Sequence, residues 1–181
     1  MKGIIFNVVE HTVTDEFGAD VWDELLTAAE LDGAYTALGD YSVDELSAIV
    51  TAASEKLELP PADVVRFVGR RGFPWLMQRY PEMATGHTSA RSFVLSLNEV
   101  IHPEVRKLYP GADVPVFQQH DSGTGALDIE YVSQRQLCFL AEGLTFGCAD
   151  YFGETISISQ PKCQHNGDSS CVLRIEWHEH D

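Results

Sequence analysis

The chain has 181 residues, of which 44% are hydrophobic, enough to bury the core of one compact domain. Its 28 acidic against 12 basic residues give a formal net charge of −16, which opposes nucleic-acid binding, because phosphate backbones need clustered Lys and Arg. No apolar run is long enough to cross a bilayer, and the first ten residues lack the pattern of a secretory signal. We therefore expect a cytoplasmic protein without a membrane partner, whose four cysteines are free thiols or metal ligands rather than structural disulfides.

The first half of the chain is predicted to be helical. Apolar residues recur at helical spacing over 17–30, which favours an amphipathic helix there. Ser42, followed three residues later by Glu45, has the pattern of a capping box and predicts the start of a second helix that continues through Ala53.

Two proline-containing segments follow. A third helix is predicted to begin at Ala62 and to continue beyond Gly72, with a kink or restart at Pro74. A long helical segment over 89–109 comes next, and Pro103 is expected to break it.

The second half mixes strands with one helix. Extended segments are predicted at 114–118, 126–133, 155–159 and 171–177, a turn at 121–125 and a helix at 136–152. The last two strands are expected to pair in antiparallel fashion around an Asn166-Gly167 turn. Helices first and mixed strands afterwards make an α+β fold.

Tyr131, Ser133 and Arg135 are the first candidate binding residues. On a strand, alternate side chains share one face, so their hydroxyl and guanidinium groups would converge on a carboxylate or phosphate. Spacing alone equally fits a polar strand end that faces solvent, and it favours that simpler interpretation.

His102 is the second candidate. It precedes Pro103 at the expected helix break, where a side chain can lean away from the helix toward a ligand, and neutral imidazole is a common iron ligand. A histidine that bonds a backbone carbonyl in the core is the alternative, and spacing alone favours that alternative.

A cysteine cluster is the third candidate. Cys163, His165 and Cys171 flank the predicted Asn166-Gly167 turn, and Cys138 on the preceding helix could complete a tetrahedral zinc site with them. Buried free cysteines that pack in the core are the alternative, and Cys148 is assigned to that alternative.

Five segments together resemble one family, the H-NOX (haem-nitric oxide/oxygen binding) domains related to the haem domain of soluble guanylate cyclase. They are residues 1–7 (MKGIIFN), 22–26 (WDELL), 100–105 (VIHPEV), 107–112 (KLYPGA) and Tyr131-x-Ser133-x-Arg135. The resemblance covers nearly the whole chain and implies a single domain, 1–181. It implies a helical N-terminal part of about 1–65 and a larger mixed α/β part, 66–181, with an antiparallel sheet and haem buried between the two.

The resemblance also implies roles for individual residues around haem b. His102 would be the proximal iron ligand, and Tyr131, Ser133 and Arg135 would bind the propionates. Pro115 would press on the porphyrin and hold it bent, and Ile5 would lie near the macrocycle.

Gas selectivity follows from the distal positions that the resemblance implies. Where family members that hold oxygen carry a tyrosine donor, this chain has Leu140, and Val9 and Phe73 (or Pro74) at the other distal positions are apolar as well. Because bound O2 needs a hydrogen-bond donor and NO does not, we expect NO and CO to bind without a stable O2 complex.

We expect a sensor rather than an enzyme, since a haem peroxidase would need polar distal groups. NO would weaken the bond to His102, the iron–histidine bond would break, and the haem would relax against Pro115. A separate signalling enzyme, which the resemblance suggests is a histidine kinase or a cyclic-di-GMP enzyme, would read the resulting shift.

The alternative function is a zinc and thiol redox sensor that uses the cysteine cluster. Some bacterial family members bind zinc through cysteines that match Cys138, Cys163 and Cys171. Their histidine three residues before the second cysteine is replaced here by Gln160, so either His165 supplies the fourth ligand or the site is altered.

Overall fold

The computed structural model describes residues 1–121 and 125–178. Its helices are α1 (Gly3–Phe17), α2 (Ala19–Ala28), α3 (Val43–Leu57), α4 (Pro61–Arg79), α5 (Ala90–Leu95), α6 (His102–Leu108) and α7 (Cys138–Phe152). Its strands are β1 (Val116–Asp121), β2 (Leu127–Val132), β3 (Thr155–Lys162) and β4 (Cys171–His178). The predicted α+β class is thereby confirmed. Within the described ranges, no helix is long and apolar enough to cross a membrane.

Helices α1 to α3 form the N-terminal part. The helix expected over 17–30 is shorter than predicted, because Gly18 with φ 95° separates α1 from α2. The capping box at the start of α3 is confirmed: the Ser42 hydroxyl accepts a 3.1 Å hydrogen bond from the Asp44 N–H, and the Glu45 carboxylate accepts one of 3.3 Å from the Ser42 N–H. These helices share an apolar core around the fully buried ring of Phe6.

Helix α4 joins the N-terminal helices to the rest of the domain. It begins with Pro61 in its first turn, where the missing N–H has no cost, and it continues unbroken past Pro74 instead of restarting there. The expected division between 65 and 66 therefore falls inside one helix. On its other side α4 packs closely against α7, with Gly69 next to the Leu140 carbonyl.

The segment 89–109 is divided near its centre, as expected. A π-helical turn at Leu97–Ile101 separates α5 from α6, and His102 is the first residue of α6 with Pro103 in its first turn. π-Helical turns are rare and recur at functional positions, so the break itself marks His102.

The strands form one antiparallel sheet in the order β1-β2-β4-β3. The predicted pairing of the last two strands is confirmed, with Ile158 opposite Ile175. Tyr131 in β2 is flanked by Phe117 in β1 and Cys171 in β4, and α7 packs on this face of the sheet. Of the turn expected at 121–125, residues 122–124 lie outside the described residues.

Candidate functional site

An apolar cavity of about 280 Å³ lies between the helices and the sheet. Its walls come from the start of α1, from α4, α6 and α7, and from β1 and β2, so residues far apart in sequence meet around it. Apart from a few polar groups the lining is aliphatic and aromatic, which suits a largely hydrophobic ligand.

His102 lines this cavity and is largely buried. Its ring lies 5.6 Å from the ring of Phe117, centroid to centroid, and its Nδ1 atom makes no hydrogen bond of standard geometry with any described residue. The pKa of His102 is lowered to about 4, mainly by burial and also by the nearby Arg106 charge, while the Pro115 carbonyl acts in the opposite direction. The imidazole is therefore neutral at pH 7, the form in which histidine binds a metal.

Tyr131, Ser133 and Arg135 line the same cavity, although the predicted strand geometry was wrong. Strand β2 ends at Val132, and the Ser133 hydroxyl accepts a 3.2 Å hydrogen bond from the Arg135 backbone N–H within the turn that follows. The convergence therefore comes from a serine-stabilised turn and not from strand alternation.

Tyr131 connects this region to the start of α7. Its hydroxyl accepts a 3.2 Å hydrogen bond from the Leu137 backbone N–H, just before α7 begins. Burial raises the pKa of Tyr131, although its hydrogen bonds with Ser133 and the Leu137 N–H oppose that shift. The phenol is therefore a neutral donor at the rim of the cavity.

Arg135 supplies the positive charge at this rim. Its guanidinium donates a 2.7 Å hydrogen bond to the Asp113 backbone carbonyl and lies 3.4 Å from the Asp113 carboxylate. The Asp113 side chain is 68% exposed, and exposed ion pairs contribute little free energy. Another carboxylate can therefore compete for this guanidinium.

The other residues that the resemblance implies divide into two groups. Ile5, Phe73, Pro115 and Leu140 line the cavity. Val9 is not among the described residues that line it; it lies in the N-terminal core cluster, to which Leu140 also belongs.

Sequence reasoning missed Tyr80 and Tyr109, which both line the cavity and whose hydroxyls are hydrogen-bonded to each other. The sequence signal that could have identified Tyr109 is its position within the family-like segment 107–112.

The three clustered cysteines meet as predicted, but the predicted histidine does not join them. The Sγ atoms of Cys138, Cys163 and Cys171 all lie within 4.8 Å of one another, and all three residues are buried. His165 is turned away: its Nε2 lies 2.8 Å from the Gln136 carbonyl oxygen, and its ring stacks on Phe139.

Gln160, which replaces the histidine of the family members, is hydrogen-bonded to a carboxylate. Its side-chain amide donates a 2.6 Å hydrogen bond to the buried Glu142 carboxylate, which pairs with Arg66 at 2.9 Å. Burial raises the pKa values of Cys138 and Cys171, so these thiols are protonated unless a metal displaces the protons.

An apolar cavity between helices and an antiparallel sheet, with one neutral imidazole in its wall, is the kind of site that can hold a largely hydrophobic, metal-containing cofactor such as haem. Comparison with known proteins makes this inference specific. The family model for haem-NO-binding domains matches residues 2–160. The chain therefore belongs to the H-NOX family, whose domains bind haem and sense gaseous ligands such as NO and CO.

Solved H-NOX structures agree with this assignment over the whole chain. An H-NOX protein from S. oneidensis in the Fe(II)NO state is 38% identical, with 99% of this chain and 100% of that chain covered and a TM-score of 0.92. An H-NOX domain from Shewanella oneidensis in the Fe(II)CO state is 37% identical, with 99% of this chain and 100% of that chain covered and a TM-score of 0.88. Unliganded Fe(II) H-NOX from K. algicida is 27% identical, with 99% and 98% covered and a TM-score of 0.87.

Proposed function

We propose that this chain is a haem-based NO sensor in which His102 binds the iron of haem b. The observation that carries the proposal is the largely buried, neutral imidazole of His102 in the wall of an apolar cavity. Because Nδ1 is enclosed by protein and therefore cannot face the cavity, we assign Nε2 to the iron. The iron supplies the site for the gas, and the residues around it decide which gas is retained.

The cavity residues also fit the periphery of a haem. Tyr131, Ser133 and Arg135 place two hydroxyls and a guanidinium at one rim, where two propionate carboxylates would need donors. Ile5 and Pro115 would contact the macrocycle, and the rigid ring of Pro115 would hold it bent.

The distal residues support selectivity for NO and CO over O2. Leu140 and Phe73 offer no hydrogen-bond donor to a bound gas, and Val9, in the layer behind, adds none. Bound O2 carries partial negative charge and is retained by a donor, whereas NO binds ferrous iron strongly without one. We expect no stable O2 complex.

Signalling would start at α6. His102 would hold the iron, and loss of that bond on NO binding would free the helix that His102 begins to shift relative to the N-terminal helices. A separate enzyme, a histidine kinase or a cyclic-di-GMP enzyme, would read this shift, and the acidic surface would suit a partner with a basic face. The domain itself would have no catalytic role, and we propose that it acts in the cytoplasm.

Absorption spectra of the haem-loaded protein test this proposal. We expect the Soret band to shift on addition of NO or CO. In air, we expect no lasting Soret band of an oxygen-bound form. His102→Gly should lose the histidine-ligated spectrum and recover it with added imidazole. His11→Ala is the control, because His11 stacks on Trp75 outside the cavity. An NO spectrum in which His102 remains bound would contradict the signalling step.

A zinc and thiol redox sensor is the second candidate, because three buried Sγ atoms lie within 4.8 Å of one another. Cys138, Cys163 and Cys171 would supply three thiolates, and the fourth ligand would come from a group other than His165 in its present position. Loss of signalling after thiol alkylation, while NO binding persists, would favour this function over the first.

A further inference from the structure

Two tyrosines connect the ends of helices α4 and α6. Tyr80 is the residue that follows α4, Tyr109 is the residue that follows α6, and their hydroxyls are hydrogen-bonded to each other. The two rings meet edge to face, with centroids 6.3 Å apart. The Arg79 Nε atom also donates a 3.2 Å hydrogen bond to the Tyr80 hydroxyl.

Helix α6 has few other attachments to the domain. None of its residues, 102–108, is fully buried, and Leu108 is 42% exposed. Its ion pair, between Glu104 and Lys107, is internal to the helix, and Val105 is only partly buried against the core. Tyr109, with 5% of its surface exposed, is the first fully buried residue after His102.

His102 and Tyr109 thus hold the two ends of one short helix. They are seven residues apart, about two helical turns, so they lie near the same face, and both line the cavity. A displacement of Tyr109 would therefore be transmitted along the helix axis to His102.

We infer that Tyr109, held by the Tyr80 hydroxyl, is a positioning residue that fixes the His102 helix against α4. The inference rests on the proposed role of His102 as the iron ligand. The Arg79 cation polarises the Tyr80 hydroxyl and so strengthens its hydrogen bond with Tyr109, in which either hydroxyl can be the donor. Tyr80→Phe leaves a buried Tyr109 hydroxyl without its partner, whereas the double variant removes both groups together.

The test uses Tyr80→Phe, Tyr109→Phe and the double variant in the haem-loaded protein. Tyr151→Phe is the control, because Tyr151 is 46% exposed and does not line the cavity. The first measurement is amide hydrogen exchange over 102–108. The second is the iron–histidine stretching frequency in the resonance Raman spectrum of the ferrous protein.

Loss of one hydrogen bond should speed exchange in α6 by roughly two- to tenfold, with exchange in α3 unchanged. The stretching frequency should fall in both single variants, and the double variant should show no larger effect than Tyr80→Phe, since the two residues act as one unit. The control should match the wild type.

Faster exchange in α6 with an unchanged stretching frequency would overturn the inference, because the tyrosine pair would then hold the helix without positioning His102. Additive effects in the double variant, or unchanged exchange, would overturn it as well. If the wild-type protein bound no haem, the proposed function would fail, whereas the exchange measurement would still report on the tyrosine pair.

Discussion

Gly147 lies directly against the backbone carbonyl of Arg70, whose oxygen is 2.5 Å from the position that a Cβ atom on Gly147 would occupy. This carbonyl would normally accept a hydrogen bond from the residue four positions later in α4, but that residue is Pro74, which has no N–H. Because Gly147 has no side chain, α7 can approach the Arg70 carbonyl, which Pro74 leaves without its usual helical partner. The two helices thereby form one wall of the cavity.

We predict that Gly147→Ala destabilises the protein. The added methyl group would meet the Arg70 carbonyl and, at 2.6 Å, the Cβ atom of Phe73, and overpacking of this kind costs about 1–3 kcal/mol. Alanine's better helix propensity offsets about 1 kcal/mol of that cost. The measurement is the urea dependence of unfolding, with Glu55→Ala on the exposed face of α3 as the control. Equal stability of Gly147→Ala and the wild type would show that the helices can separate without cost.

The sequence predicted the helices and strands whose signals are local. The capping box at Ser42 and the β3–β4 pairing needed no tertiary information, and both are present. The uninterrupted α4 could not be foreseen, because it packs against α7, which begins more than sixty residues after Pro74. Local reasoning sees the lost hydrogen bond but not the helix that packs alongside.

The candidate site was predicted for a different reason. Spacing alone did not favour His102 or the Tyr131, Ser133, Arg135 group; the resemblance to a family did. The turn at Ser133 shows why, since its hydrogen bond to the Arg135 N–H has no distinctive local pattern. The orientation of His165 was equally hidden, because its partner is a backbone carbonyl.

Arg135→Ala should weaken haem binding. A charged hydrogen bond to a carboxylate contributes about 1.5–3 kcal/mol, so we expect a loss of about tenfold to hundredfold in affinity. Asp113→Asn should leave the affinity equal or higher, because Asp113 is the carboxylate that competes for Arg135. The measurement is a haem titration of the haem-free protein, with Arg71→Ala, which pairs with Glu16 away from the cavity, as the control. Weaker binding by Asp113→Asn would contradict the competition.

Zinc content should depend on the three thiols but not on His165. We predict that Cys171→Ser lowers the zinc bound per chain. His165→Ala should not lower it, because Nε2 of His165 is hydrogen-bonded to the Gln136 carbonyl oxygen. Cys148→Ser is the matched control, since Cys148 is buried outside the cluster. Metal analysis after dialysis against a chelator provides the measurement, and zinc loss in His165→Ala would show that His165 can turn inward.

Protonation of His102 should make the haem-free protein less stable in acid. The pKa is 6.5 for an ordinary histidine, as in the unfolded chain, and about 4 for His102 in the folded protein. Below about pH 6.5 the unfolded chain therefore takes up a proton that the folded chain does not. The free energy of unfolding should fall by about 2–3 kcal/mol between pH 7 and pH 4.5 from this group. Urea unfolding of wild type and His102→Leu at both pH values isolates the effect. Equal losses in the two proteins would mean that the imidazole is accessible to protons in the fold.

Leu140→Tyr should convert the cavity to one that holds O2. Leu140 on α7 lines the cavity, as does the apolar side chain of Phe73. A tyrosine at 140 would add a hydroxyl donor to this apolar region. A hydrogen bond to partly charged O2 in a dry site should slow O2 dissociation by roughly tenfold or more. Leu140→Phe has nearly the same bulk without the donor and should not retain O2. Because the Leu140 carbonyl lies next to Gly69, thermal unfolding of both variants should first establish that the larger ring is accommodated. If Leu140→Phe held O2 as long as Leu140→Tyr, cavity volume rather than hydrogen bonding would determine the gas selectivity.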